Sequence, residues 1–264
     1  MLPPTYPEAA IALQEEISRL VVTEGDPYPS LVAGLDAAYA RDGRTVFGAA
    51  ALLAFPSLEL VEGAWAACEI AFPYIPGLFA FREGPALIEA LGRLAHTPDL
   101  LIVDGHGIAH PRRCGIASHI GVVTGIPSIG VAKHLLCGTA ATPDEEQGST
   151  APVTEGGETI GCAVRTAAGV RPVYVSVGHR TCLAAVVRLA LASSDGYRVP
   201  EPIRAAHALA ARARERGDGP GGAFISRNAP RGQYERRGRG EGRYDAERNP
   251  ESFGDALRHL RRHP

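Results

Sequence analysis

The sequence predicts an α/β protein built on one mixed β-sheet with helices on both faces. Two observations carry this. Three strand-like segments between residues 31 and 70 are joined by short turns, the pattern of an antiparallel meander. From residue 83 onward, apolar runs of strand length alternate with amphipathic helical segments, as in a sheet covered by helices. Composition agrees: 45% of the 264 residues are hydrophobic and 21% charged, enough to bury one sizeable core.

Each element follows from local pattern. Pro7 to Val22 predicts an amphipathic helix, with Ala10, Leu13, Ile17 and Leu20 at helical spacing. Strands are expected at Leu31–Tyr39, Thr45–Phe55 and Leu58–Ile70, with Arg41-Asp42-Gly43 and Pro56-Ser57 as the turns. Pro73-Tyr74-Ile75-Pro76-Gly77 is too proline-rich for regular structure. A helix over Glu83–Leu94 precedes a buried strand over Leu100–Asp104. Another helix over Arg113–Thr124 precedes a strand over Ser128–Ala132. Gly138–Glu158 is polar and rich in Gly and Thr, and reads as a loop. Thr159–Arg165 and Pro172–Val177 alternate as a hairpin. Thr181–Ser193 and Ile203–Arg214 complete the helices. After Arg216 the sequence turns to Gly, Arg and Glu without periodicity, which divides the chain into a domain over 1–216 and a disordered tail over 217–264. Within that tail, Ala256–Leu260 reads as a short helix. No internal repeat is present.

Charge and cysteine usage narrow the class. The net charge of −2 hides an asymmetry: Arg212 to Pro264 carries 13 Arg against 8 acidic residues, a local +5, which leaves −7 for the remainder. Five cysteines, scattered and never in a C-x-x-C pair, argue against a disulfide framework or a zinc ribbon and for a reducing compartment. Glu8, Glu15 and Glu16 interrupt the N-terminal apolar residues, unlike a signal peptide, and no uncharged apolar run reaches membrane-span length. A soluble, cytoplasmic monomer is the expectation.

The chemistry centres on acidic residues. Asp104 ends the aliphatic run Leu100-Leu101-Ile102-Val103 and is followed by Gly105-His106-Gly107. A carboxylate at a strand end, beside glycines that admit a ligand, suits a hard divalent cation and a phosphate; the plainer reading is a capping residue. Asp36 interrupts an otherwise apolar first strand, where a charge is costly unless paired, metal-bound or at an exposed edge. Glu83, before Gly84-Pro85, is expected at a helix N-terminus, where it would also complement the helix dipole. Should the three converge at about 5 Å, each pair repels by roughly 3 kcal/mol at an effective dielectric near 20. Convergence would demand one or two hard cations, Mg²⁺ or Mn²⁺, able to activate water for phosphoryl transfer.

Lys133 is the only lysine beside 26 arginines, and it follows a strand. A compact ammonium does what a planar guanidinium does not, so its survival points to function rather than chance. His179, also after a strand-like run, suits positioning or deprotonating a water, or else filling the core. His106 and His110 are four apart, but the intervening Gly-Ile-Ala and Pro111 argue for a turn and against a zinc helix.

Four blocks resemble one family. Pro73 through Pro85 (PYIPGLFAFREGP), Val103 through Arg112 (VDGHGIAHPR), Gly130-Val131-Ala132-Lys133 and Gly178-His179-Arg180 resemble the endonuclease V family, whose members nick nucleic acid beside deaminated adenine. The resemblance runs from about Leu31 to Arg214. It implies an RNase H-like fold and a metal-dependent DNA repair endonuclease with Mg²⁺, or Mn²⁺ in its place. Asp36, Glu83 and Asp104 would be the metal ligands, with Lys133 steadying the transition state and His179 assisting around the water. Tyr74 would be the wedge entering the gap left by the rotated lesion. Gly77, Gly105, His110 and Gly115 would form the nucleic-acid-binding pocket around deoxyinosine. The resemblance also implies cleavage at the second phosphodiester bond 3′ to the lesion. Two alternatives stand beside it: the same chemistry on inosine in RNA, and a non-catalytic protein that binds nucleic acid through its Arg/Gly tail.

Overall fold

In the computed structural model, residues 6–217 and 219–226 are described. The strands are β1 (Leu31–Tyr39), β2 (Thr45–Ala54), β3 (Leu60–Glu69), β4 (Leu100–Asp104), β5 (Ser128–Ala132), β6 (Thr139–Ala140), β7 (Thr150–Glu155), β8 (Glu158–Val164), β9 (Val173–His179) and β10 (Gly221–Ile225). They join in one sheet in the order β10-β3-β2-β1-β4-β5-β9-β8-β7-β6. The meander β1–β2–β3 is antiparallel, β4 lies parallel between β1 and β5, and β9 runs antiparallel to β5. The sheet is therefore mixed, as its sequence pattern indicates.

The described residues form five helices, α1 (Pro7–Ser18), α2 (Phe79–Gly92), α3 (Ile116–Thr124), α4 (Leu183–Ala192) and α5 (Glu201–Arg216), of which α2 to α5 cover the sheet. Strand alternation sorts the core into two layers. Leu31, Ala33 and Leu35 pack with Leu87 and Leu91 of α2 and Ile120 of α3. Val32, between them, faces the opposite layer with Val186 and Leu189 of α4 and Ile203 and Ala206 of α5. Helix α1 sits outside this sandwich, laying Ala10, Leu13 and Ile17 against Phe72, Leu78 and Phe81.

Three expectations are corrected. Helix α2 begins at Phe79, so Glu83 lies within the helix and Pro85 inside it rather than at its first turn. Burial of Leu78 and Phe81 against α1, and of Ala80 against the sheet, draws the earlier turn into the helix, which outweighs the proline signal. The polar stretch 138–158 is not a loop throughout, because it contains β6 and β7. Strand β7 buries only Ala151 and Val153 on one face, too few apolar residues to betray a strand. Finally, the tail expected from 217 starts with β10, which pairs antiparallel with β3 and sets Phe224 opposite Gly63. A Cβ on Gly63 would lie 2.7 Å from the Phe224 ring, so the glycine makes room for it. The remainder of that tail, including Ala256–Leu260, lies outside the described residues. Among the described residues no helix is long and apolar enough to cross a membrane.

Candidate active site

Parallel pairing of β1 with β4 aligns Leu35 with Val103, so the next residues, Asp36 within β1 and Asp104 at the end of β4, come side by side. Two helices close over them by close approach to the sheet. A Cβ on Gly34 would lie 1.9 Å from the Pro202 carbonyl of α5, and one on Gly48 would lie 2.4 Å from the Ala86 backbone of α2. Bare glycine lets both helices dock. Helix α2 thereby brings in Glu83, and α5 brings in His207.

Asp36 and Asp104 are largely buried, at 12% and 16% side-chain exposure. Asp36 accepts from the Ala37 N–H at 2.8 Å, and its other oxygen meets His207 Nδ1 at 2.7 Å. Burial raises the Asp36 carboxyl above the usual range, and the charge of Asp104 pushes the same way. Glu83 is only 6% exposed. Its burial chiefly lifts the carboxyl from 4.5 to about 7; Tyr39 pulls down, and the charges of Asp36 and Asp104 add to the rise. The Tyr39 hydroxyl is itself buried without a hydrogen bond of standard geometry, beneath the Arg82 guanidinium at 5.0 Å from the ring centroid. Lys133, just after β5, pairs its Nζ with Asp104 Oδ2.

One cavity of about 530 Å³ gathers these groups. Asp36, Glu83, Asp104 and Lys133 line it together with Tyr74, Gly77, Gly105, His110 and Gly115. Of the site residues expected from sequence, only His179 is missing. Tyr74 is 64% exposed on its proline-flanked loop, with its ring edge-on to Phe79 at 5.8 Å. Gly77 has φ +81°, and a Cβ on Gly115 would lie 2.2 Å from the His106 carbonyl, so the backbone itself forms these walls. His110 Nδ1 accepts from the Arg112 N–H at 3.1 Å, which places the ring hydrogen on Nε2, donating to the Gly77 carbonyl at 2.9 Å. Burial lowers its imidazole to about 4, keeping it neutral. His106 Nε2 meets a different carbonyl, that of His134, at 2.9 Å, so the two histidines are not a metal pair.

His179 is a correction. Strand β9 is antiparallel to β5, pairing Tyr174 with Ala132 and His179 with Ser128. Its C-terminal end therefore lies at the end of β5 opposite Lys133. There His179 is buried, its Nδ1 accepts from the Val22 N–H at 3.2 Å, and desolvation holds it near about 4. It ties the segment after α1 to the sheet. The histidine that meets a carboxylate in the cavity is His207, on Asp36, which sequence reasoning missed. It neighbours the core-facing Ala206 on α5, and only the docking of α5 across Gly34 brings it over Asp36.

The donor set fits a hard cation. Three carboxylates face one cavity; burial and the charge of Asp104 raise the proton affinity of Asp36, and burial and the charges of Asp36 and Asp104 raise that of Glu83, as expected where negative charge lacks compensation. Asp36 leans on His207 and Asp104 on Lys133. Among the described residues no three acidic, histidine or cysteine side chains are drawn into a closed metal cage.

The sequence profile of the Endonuclease V family matches residues 13–208. The Endonuclease V of Roseiflexus sp. strain RS-1 is 50% identical over 212 residues, covering 80% of this chain and 95% of that protein. The crystal structure of Endonuclease V from Streptomyces avermitilis superposes with a TM-score of 0.78 at 43% identity, covering 81% of this chain and 96% of that one. Endonuclease V from Ciona intestinalis, solved with DNA containing an inosine followed by a ribo-adenosine, shares the fold with a TM-score of 0.71 at 24% identity, over 80% of this chain and 98% of that one. The architecture is RNase H-like. By profile, identity and fold together, this chain belongs to the Endonuclease V family of nucleases.

Proposed function

We propose that the chain is a metal-dependent endodeoxyribonuclease of DNA repair that recognises deoxyinosine and hydrolyses the second phosphodiester bond 3′ to it, leaving the lesion in the nicked strand. The observation that carries this reading is the single cavity shared by three carboxylates, Lys133 and the Tyr74 loop. Asp36, Glu83 and Asp104 would hold Mg²⁺, or Mn²⁺ in its place, and the bound cation would activate water and stabilise the leaving oxygen. Lys133 sets positive charge beside Asp104, where a phosphate gathers negative charge in the transition state. His207 holds the Asp36 carboxylate in orientation.

Recognition follows from the remaining walls. Rotating a base out of the stack costs a few kcal/mol, and least for a poorly paired base such as hypoxanthine. An exposed Tyr74 stacked in the gap returns about 1–3 kcal/mol, and Pro73 and Pro76 limit the entropy lost in ordering its loop. Backbone walls at Gly77, Gly105 and Gly115 reject guanine, whose 2-amino group would clash and lack a partner. The inosine-bearing DNA held by the Ciona relative supports this substrate class, and the ribo-adenosine beside it favours a second reading in which inosine in RNA is also cut. The protein would act as a monomer in the cytoplasm, in keeping with five free thiols.

The test is a duplex carrying one deoxyinosine, incubated with the protein and Mg²⁺. One nick, two bonds 3′ of the lesion and absent in chelator, is expected. Equal cutting of an undamaged duplex would refute the specificity. Rates on matched deoxyribo- and ribo-inosine strands rank the two substrates.

A further inference from the structure

Helix α1 contributes one polar side chain to the cavity wall, and the reading above gives it no role. Gln14 is 1% exposed, yet it lines the cavity. Its amide is fully engaged. Nε2 donates to the Gly77 carbonyl at 3.0 Å and to the Cys114 carbonyl at 2.6 Å, while Oε1 accepts from Arg112 Nε at 2.5 Å. The same Gly77 carbonyl also receives Arg112 Nη2 at 2.9 Å and His110 Nε2 at 2.9 Å. Three donors thus converge on one backbone oxygen at the end of the Tyr74 loop.

The two walls that Gln14 joins have no regular structure of their own at this point. Gly77 closes the proline-rich loop before α2, and Cys114 precedes Gly115, the N-cap of α3. Among the described residues no backbone–backbone hydrogen bond links residues 73–77 to residues 110–115. His110 and Arg112 hold the Gly77 carbonyl from the second wall, but only Gln14 reaches the Gly77 and Cys114 carbonyls with one rigid amide. Its chemistry is specific: two N–H groups for two carbonyls and one oxygen for a guanidinium. A carboxylate would set oxygen against both carbonyls, and a thioether would offer neither donor.

We infer that Gln14 is a specificity-determining positioning residue, which fixes the gap between the Tyr74 loop and the turn before α3 and so sets the width of the base pocket. The inference rests on the proposed reading of that cavity as the site of a flipped hypoxanthine. Walls made of backbone discriminate by fractions of an ångström, and a wall free to shift would admit a guanine and grip an inosine less firmly.

The test compares the full chain with Gln14→Met, which keeps the volume, and Gln14→Glu, which keeps the acceptor for Arg112. Duplexes carry inosine or guanine at one position, with 2-aminopurine as its 3′ neighbour to report base rotation. Rates are normalised to the folded fraction measured by thermal melting. The expected result in both variants is a KM for inosine raised about tenfold or more and a saturating single-turnover rate within threefold of the parent. The preference for inosine over guanine should fall by a similar factor, with a weaker 2-aminopurine signal. Should Gln14→Met fold poorly, Gln14→Glu carries the comparison. An unchanged KM and preference in the folded variants would overturn the role, as would a loss confined to the single-turnover rate. A parent protein that cuts the guanine duplex as fast as the inosine duplex would overturn the reading of the cavity itself; variants that merely match a selective parent overturn only the role of Gln14.

Discussion

Replacing Glu83 with Gln should make the metal-free protein more stable while abolishing cleavage. The carboxyl of Glu83 is lifted from 4.5 to about 7, mainly by burial. A raised carboxyl affinity means the folded protein binds more protons than the unfolded chain between those values, so stability is lost as pH rises through that window. Below pH 4.5 the group is neutral in both states and carries no penalty. Well above pH 7 it is charged in both, and the full difference of about 2.5 pH units amounts to roughly 3 kcal/mol. At pH 5 only about 1 kcal/mol of it has developed. Gln removes the titration and keeps the volume, so the stability difference between variant and parent should grow by roughly 2 kcal/mol from pH 5 to pH 8. Repulsion from Asp36 and Asp104 is already part of that difference. For a domain of this size that is about 4–8 °C in melting temperature. Thermal melts of both proteins in chelator at pH 5, 6, 7 and 8 measure it. A difference independent of pH, or one that shrinks toward pH 8, would refute the reasoning that a buried uncompensated charge sits at position 83.

Three further substitutions separate the histidines and the wedge. His207→Ala should lower cleavage tenfold or more with little change in melting temperature, because its 66% exposed side chain contributes its bond to Asp36 rather than burial. His179→Ala should do the reverse, costing about 1–2 kcal/mol of stability while leaving the rate per folded molecule unchanged; paired melts and cleavage assays check both. Tyr74→Ala should weaken binding to the inosine duplex by about 1–3 kcal/mol, as measured by fluorescence anisotropy, without altering affinity for the cation.

The parts of the site that lie on the parallel strands were legible in the chain itself. Asp104 follows an aliphatic run, Asp36 breaks one, and their juxtaposition needs only β1 beside β4. Lys133 stood out by composition alone. His179 failed because a strand end carries no sign of which edge of the sheet it reaches, and β9 runs antiparallel to β5. His207 was invisible because a histidine beside the apolar face of a helix gains meaning only once Gly34 admits α5 onto the sheet. Gln14 reads as an ordinary position of an amphipathic helix; its partners lie 63 and 100 residues away. The edge strand β10 is short, with Gly221 and Gly222 at its start, so only pairing with β3 defines it.

Whether Asp36, Glu83 and Asp104 act on one shared cation is decided by titrating Mn²⁺ into the DNA-free protein by calorimetry at pH 8. The parent should bind, and Asp36→Asn, Glu83→Gln and Asp104→Asn should each weaken the affinity tenfold or more. Affinity left intact in all three variants would mean that these carboxylates share a cavity but no metal.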